Sequence, residues 1–172
     1  MRVALTPTVP ADVKLVADQT LINRLETIPT GERLSLAKRG SGRIAAELLL
    51  DSEPRVIETA LTNPRLTEPA VIRALTQSNT PVALVEAVCH RSVWSVRREI
   101  RIALLRNAQT PLARALEFAR SLSSTQLGEI LHSSQLPENL KSCLLRDSEE
   151  ASNAACKAEK NSTSEEPTQS EI

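Results

Sequence analysis

The chain has 172 residues, 41% of them hydrophobic, yet its aromatics are Trp94 and Phe118 alone and it has no tyrosine. That composition disfavours a β-sandwich, whose strands favour aromatic and β-branched side chains, and suits closely packed helices filled by Leu, Ala, Val and Ile. A formal net charge of zero hides an asymmetry: residues 147–172 carry seven acidic and two basic side chains, net −5, while residues 1–146 carry 19 basic and 14 acidic, net +5, with all sixteen arginines.

Residues 1–9 are expected to be flexible. A helix is predicted from Ala11 to about Leu25, and further starts fall near Thr30 (TGERLSLAKR), Ser41 (SGRIAAELLL), Ser52 (SEPRVIETAL), Thr67 (TEPAVIRAL) and Thr80 (TPVALVEAV). The series continues near Ser92 (SVWSVRREIRIALL), Thr110 (TPLARALEF), Ser124 (STQLGEIL) and Gln135 (QLPENLKSCLL). A hydroxyl before a helix accepts from N–H groups that lack intrahelical partners, and proline fits the first turn because its missing N–H costs no helical bond. Pro54, Pro81, Pro111 and Pro137 are spaced 27, 30 and 26 residues apart, with the remaining starts between them. One helical hairpin per 26–30 residues is the pattern of a repeat array.

The apolar faces agree. Val71, Ile72 and Leu75 share a stripe after Pro69, as do Leu84, Val85 and Val88 after Pro81, and Leu112, Ala115, Leu116 and Ala119 after Pro111. Helices this short are marginal alone and must dock on their neighbours. The helical-repeat domain is placed at residues 10–147. The acidic tail, residues 148–172, offers almost no large apolar side chain to offset its ordering entropy and is expected to be disordered.

The run LLLDSEPRVIETALTNPRLTEPAVIRAL, residues 48–75, resembles the leucine-rich-repeat-variant and HEAT-like bacterial helical-repeat proteins. Asp51, Val56, Asn63, Pro64 and Leu75 supply the skeleton of their phrase, and Asn107 and Pro111 echo it within IRIALLRNAQTPLARAL. The likeness covers about residues 30–146. It implies an all-α fold, a short right-handed α-solenoid of stacked helical hairpins, and it implies no catalytic residue. Founding members of the leucine-rich-repeat-variant group carry a cysteine-rich iron–sulfur segment; this sequence has no such cluster, so no cofactor is expected.

Cys89, Cys143 and Cys156 are far apart and form neither a disulfide framework nor a CxxC pair, which fits a reducing cytoplasm. The opening residues lack the apolar run of a signal peptide, and no stretch approaches the ~20 apolar residues of a membrane span. His90 and His132 stand 42 positions apart, each near a predicted helix end, where a capping or surface role suits them better than a metal. Cys89 reads as a small buried hydrophobe. No GxSxG elbow, GxxxxGK[ST] loop or GxGxxG turn occurs. Gly40–Gly42, beside Lys38, Arg39 and Arg43, reads either as an anion-binding nest or, more simply, as an interhelical turn.

The richest constellation is HRSVWSVRREIRIALLR, residues 90–106. Read as one helix, it sends Val93, Val96, Ile100, Ala103 and Leu104 inward and gathers Trp94, Arg97, Arg98 and Arg101 on an adjoining sector, with Leu105 near them. Three guanidinium groups beside the only indole suit phosphates or a carboxylate-rich peptide, with Arg98 covering the indole. The competing reading is structural: Trp94 fills a groove and the arginines pair with Glu86, Glu99 or the tail, which by its charge could also screen the sector. The expected function is a non-catalytic protein- or peptide-binding scaffold that takes an acidic partner through Trp94, Arg97, Arg98 and Arg101, with Arg65 and Arg73 on neighbouring ridges. The alternative is a module that binds the nucleic-acid backbone. An enzyme on the same frame is a third reading, but no acid–base pair supports it.

Overall fold

The computed structural model describes residues 10–148 and 150; residues 1–9 and nearly all of the acidic tail lie outside the described residues. Among the described residues every regular element is helical. In chain order these are α1 (Ala11–Ile22), α2 (Thr30–Arg39), α3 (Gly42–Glu47), α4 (Pro54–Ala60), α5 (Glu68–Thr76), α6 (Val82–His90), α7 (Ser92–Ser95), α8 (Arg98–Arg106), α9 (Leu112–Ala119) and α10 (Ser124–His132). Short 3-10 turns at Leu25–Thr27 and Leu48–Leu50 follow α1 and α3. A last helical run covers 138–148, with Asp147 held by Arg120 and Ser148 buried, and so reaches the first residue assigned to the tail.

The helices pack in two sets. One passes from α1 to α3, α5, α8 and α10; the other runs from α2 to α4 to α6. Between them lies one continuous core from Leu36 to Leu144, built mostly of Leu, Ile, Val and Ala, with Trp94 and Phe118 its only rings. Burying each large aliphatic side chain contributes about 1.5–3 kcal/mol, while the alanines let helix axes approach closely. Gly42 serves the same end: a Cβ there would collide with the Arg65 carbonyl oxygen.

Helices begin close to the predicted positions, but by a different division of labour. Among the described residues the only serines whose side chains cap a helix N-terminus are Ser41 and Ser123, accepting from Ile44 N and Gln126 N. Thr67 makes no such bond. Thr80 and Thr110 face backwards: their hydroxyls donate to Ala74 O (2.8 Å) and Leu104 O (2.6 Å), closing the helix before rather than opening the one after. Proline supplies the start itself, at the first turn of α4 and α5 and immediately before α1, α2, α6 and α9.

Asparagine ties one helix end to another. Asn63 Nδ2 donates to Ala37 O at the end of α2, and Asn107 Nδ2 to Leu75 O at the end of α5, both at 2.8 Å. Each Oδ1 accepts the main-chain N–H two residues on, from Arg65 and Gln109. Asp51 forms the same local turn with Glu53 N and takes Arg33 Nη1 on both oxygens, at 2.7 and 2.6 Å. Asp51, Asn63 and Asn107 are thus buried connectors between helices that pack together without being consecutive in the chain.

The predicted single helix through residues 92–105 is broken. Val96 caps the end of α7, and Arg97 is extended (φ −77°, ψ 128°) before α8 begins. On a continuous helix Trp94 and Ile100 would point about 120° apart at 100° per residue; the break lets both enter the core. In consequence Val93 and Val96, expected inside, are 65% and 61% exposed, and Leu105 is buried instead. In α9 the same substitution occurs: Leu112 is exposed and Phe118 takes the interior.

Candidate functional site

Trp94 belongs to the core. It is 4% exposed, and its Nε1 donates to Leu61 O at 3.1 Å, satisfying the end of α4. Arg97, not Arg98, lies over the indole, with Cζ 5.0 Å from the ring centroid, and its Nη1 pairs with Glu68 at 2.8 Å. Arg101 spans the break: its Nε donates to Ser95 O at 2.7 Å and its guanidinium lies 5.7 Å from the Phe118 ring. The structural partners are therefore Glu68 and main-chain carbonyls, in place of the predicted Glu86 and Glu99. Arg98, exposed at the start of α8, is left apart from this set.

The other two candidates, Arg65 and Arg73, come together elsewhere. They line a groove of ≈610 Å³ between α1, α3 and α5, joined by Lys14, Arg43, Asp18 and Glu47. Four cations and two carboxylates leave the groove at +2. Leu15, Ala46, Pro69 and Ala70 provide its apolar wall. Arg43 Nη2 is steadied by Gln19 Oε1 at 3.0 Å, and Arg65 Nη1 by Arg39 O at 3.1 Å. Among the described residues none of Lys14, Arg43, Arg65 or Arg73 has a carboxylate within 4.0 Å.

Asp18 is the anomaly of this region. It is the only buried residue of α1, at 3% exposure, and its Oδ1 has no hydrogen-bond partner among the described residues. Meanwhile Val13, Leu15 and Val16 of the same helix are exposed. Sequence reading missed Lys14, Asp18 and Arg43 as a set because Arg43 lies on α3, about 25 positions from the α1 pair. The signal available was that the apolar residues of α1 do not gather on one side, so something other than a plain apolar stripe docks it.

The remaining candidates have local roles. His90 ends α6 with Nδ1 2.7 Å from Glu86 O, and His132 ends α10 exposed. Cys89 is buried, and that burial pushes its thiol up to about 11, partly offset by Arg114 and reinforced by Glu117 and Glu86. Gly40–Gly42 forms the turn between α2 and α3, with Ser41 capping α3. Among the described residues no three His, Cys, Asp or Glu side chains converge as metal ligands, and no helix is long and apolar enough to cross a membrane. No protein-family model matches the chain, nor does any curated protein sequence or solved structure.

Proposed function

We propose that the chain is a non-catalytic protein-binding module, a short right-handed α-solenoid of the HEAT-like and leucine-rich-repeat-variant kind, and that the α1–α3–α5 groove takes an acidic segment of a partner protein. The observation that carries this reading is the set of four cations without carboxylate partners among the described residues, around an apolar wall. Guanidinium groups left unpaired in this way suit carboxylates, each charge-assisted bond contributing about 1.5–3 kcal/mol. The two rows of helices, each packed on the next of its row, support the solenoid. A peptide has the apolar side chains that Leu15, Pro69 and Ala70 can receive. Nucleic acid fits less well: both aromatics are buried, which leaves no platform for base stacking.

The test is fluorescence anisotropy with a fluorescein-labelled peptide of Glu and Leu, and separately with a short DNA duplex. Arg43→Ala/Arg73→Ala should weaken the peptide complex roughly tenfold or more. Equal affinity in the variant would remove the groove from the account. Tighter binding of the duplex, lost steeply between about 50 and 200 mM salt, would replace the peptide reading with backbone binding.

A further inference from the structure

Asp18 sits in a basic groove without being neutralised by it. No cation among the described residues comes within 4.0 Å of its carboxylate, although Lys14, Arg43, Arg65 and Arg73 line the same groove. Two of those cations are hydrogen-bonded to other groups, Arg43 to Gln19 Oε1 and Arg65 to Arg39 O and Gly40 O. A carboxylate 3% exposed with an orphan oxygen is unfavourable unless a donor completes it. Glu47, the other carboxylate of the groove, is exposed and solvated. Among the described residues the donor that would complete Asp18 is missing, and a ligand in the groove can bring it.

We infer that the groove recognises a primary ammonium group flanked by carboxylates: the ammonium meets Asp18, and the carboxylates meet Arg43, Arg65 and Arg73. The inference rests on the groove reading above and adds a second, oppositely charged contact to it. An ammonium fits because it is compact and carries three donors. A purely acidic ligand would leave Asp18 buried, unpaired and repelling it. The group has two sources on a partner protein, the chain's amino terminus and a lysine side chain, and both offer the same chemistry.

Three peptides of Glu and Leu, labelled with fluorescein at the C-terminus, separate the cases by anisotropy against the full chain. One has a free amino terminus and no lysine, one is acetylated without lysine, and one is acetylated with a single lysine. With the wild type, the acetylated lysine-free peptide should bind roughly tenfold or more weakly than the better of the other two. Whichever ammonium restores affinity identifies the source. In Asp18→Asn that difference should vanish. Equal binding of all three by the wild type, or a difference that persists in Asp18→Asn, would overturn the inference.

Should Asp18→Asn not fold, the carboxyl ¹³C resonance of Asp18 in the wild type reads the same contact. It should move on adding the ammonium-bearing peptide and stay in place with the acetylated lysine-free one; equal response to both would overturn the inference. The underlying groove reading fails separately, through unchanged affinity of all peptides for Arg43→Ala/Arg73→Ala. If those arginines matter and the ammonium does not, the groove stands and the role of Asp18 falls.

Discussion

Two arginine-rich regions of this molecule use the same side chain for opposite ends. Around α7 and α8, Arg97 and Arg101 are spent inside the protein, on Glu68, on the Ser95 carbonyl and on the faces of Trp94 and Phe118. Around α1, α3 and α5, Arg43 and Arg73 have no carboxylate partner among the described residues and line an open groove. What separates them is the backbone nearby. A broken helix exposes carbonyls and positions rings that guanidinium groups can cover, whereas at the groove Arg43 meets only the neutral Gln19 amide, which leaves its charge to solvent or a ligand.

The sharpest way to break this comparison is Trp94→Ala. It should lower unfolding stability by about 3–5 kcal/mol in urea, because the change removes a core ring and orphans Leu61 O. A loss under about 1 kcal/mol would return Trp94 to the surface reading. Next in size, Asn107→Ala should cost roughly 2–3 kcal/mol by unpairing Leu75 O and Gln109 N. Asn63→Ala should do the same at Ala37 O. An effect confined to one of the two would show that they are not equivalent connectors.

Cys89, buried on α6, gives a pH signature of the core. Its thiol is raised from 9.0 to about 11 by burial, so the unfolded chain loses the proton first as pH climbs. The folded state binds more protons in that window, and stability falls between those two values, by roughly 2 kcal/mol. Below the lower value no change is expected from this group. Cys89→Ala should flatten that part of the alkaline decline in a denaturation series. An unaltered profile would mean that the thiol is not held in the core as described. The smallest effect belongs to Val93→Ser/Val96→Ser, within about 0.5 kcal/mol of wild type because both side chains face water.

Much of the fold was legible because its signals are local. Proline and the Ala/Leu runs after it mark helix starts wherever they fall, and Asn63 and Asn107 stand out as a returning phrase. What those polar residues do was not legible. A threonine before proline reads as a cap for the next helix, yet Thr80 and Thr110 bond to the helix already finished. The break at Val96–Arg97 was hidden for a related reason. A helical wheel assumes continuity, and only the competing pull of Trp94 and Ile100 on the core interrupts it.

The candidate site was half legible. The sequence marks Arg65 and Arg73 only as neighbouring ridges and concentrates the signal on Trp94, Arg97, Arg98 and Arg101. Local density of arginine is visible in a sequence; whether a carbonyl or a carboxylate will consume it is not. Lys14, Asp18, Arg43 and Arg73 span almost sixty positions and meet only because α1, α3 and α5 pack in one row.

The most direct measurement is a crossed pair of variants, Arg43→Ala/Arg73→Ala and Arg97→Ala/Arg101→Ala, each carried through thermal melting and anisotropy with the ammonium-bearing acidic peptide. The groove pair should melt like the wild type and bind roughly tenfold or more weakly, while the α7–α8 pair should melt lower and, where folded, bind unchanged. The reverse pattern, peptide affinity lost with Arg97 and Arg101 and kept without Arg43 and Arg73, would contradict the assignment of the two regions.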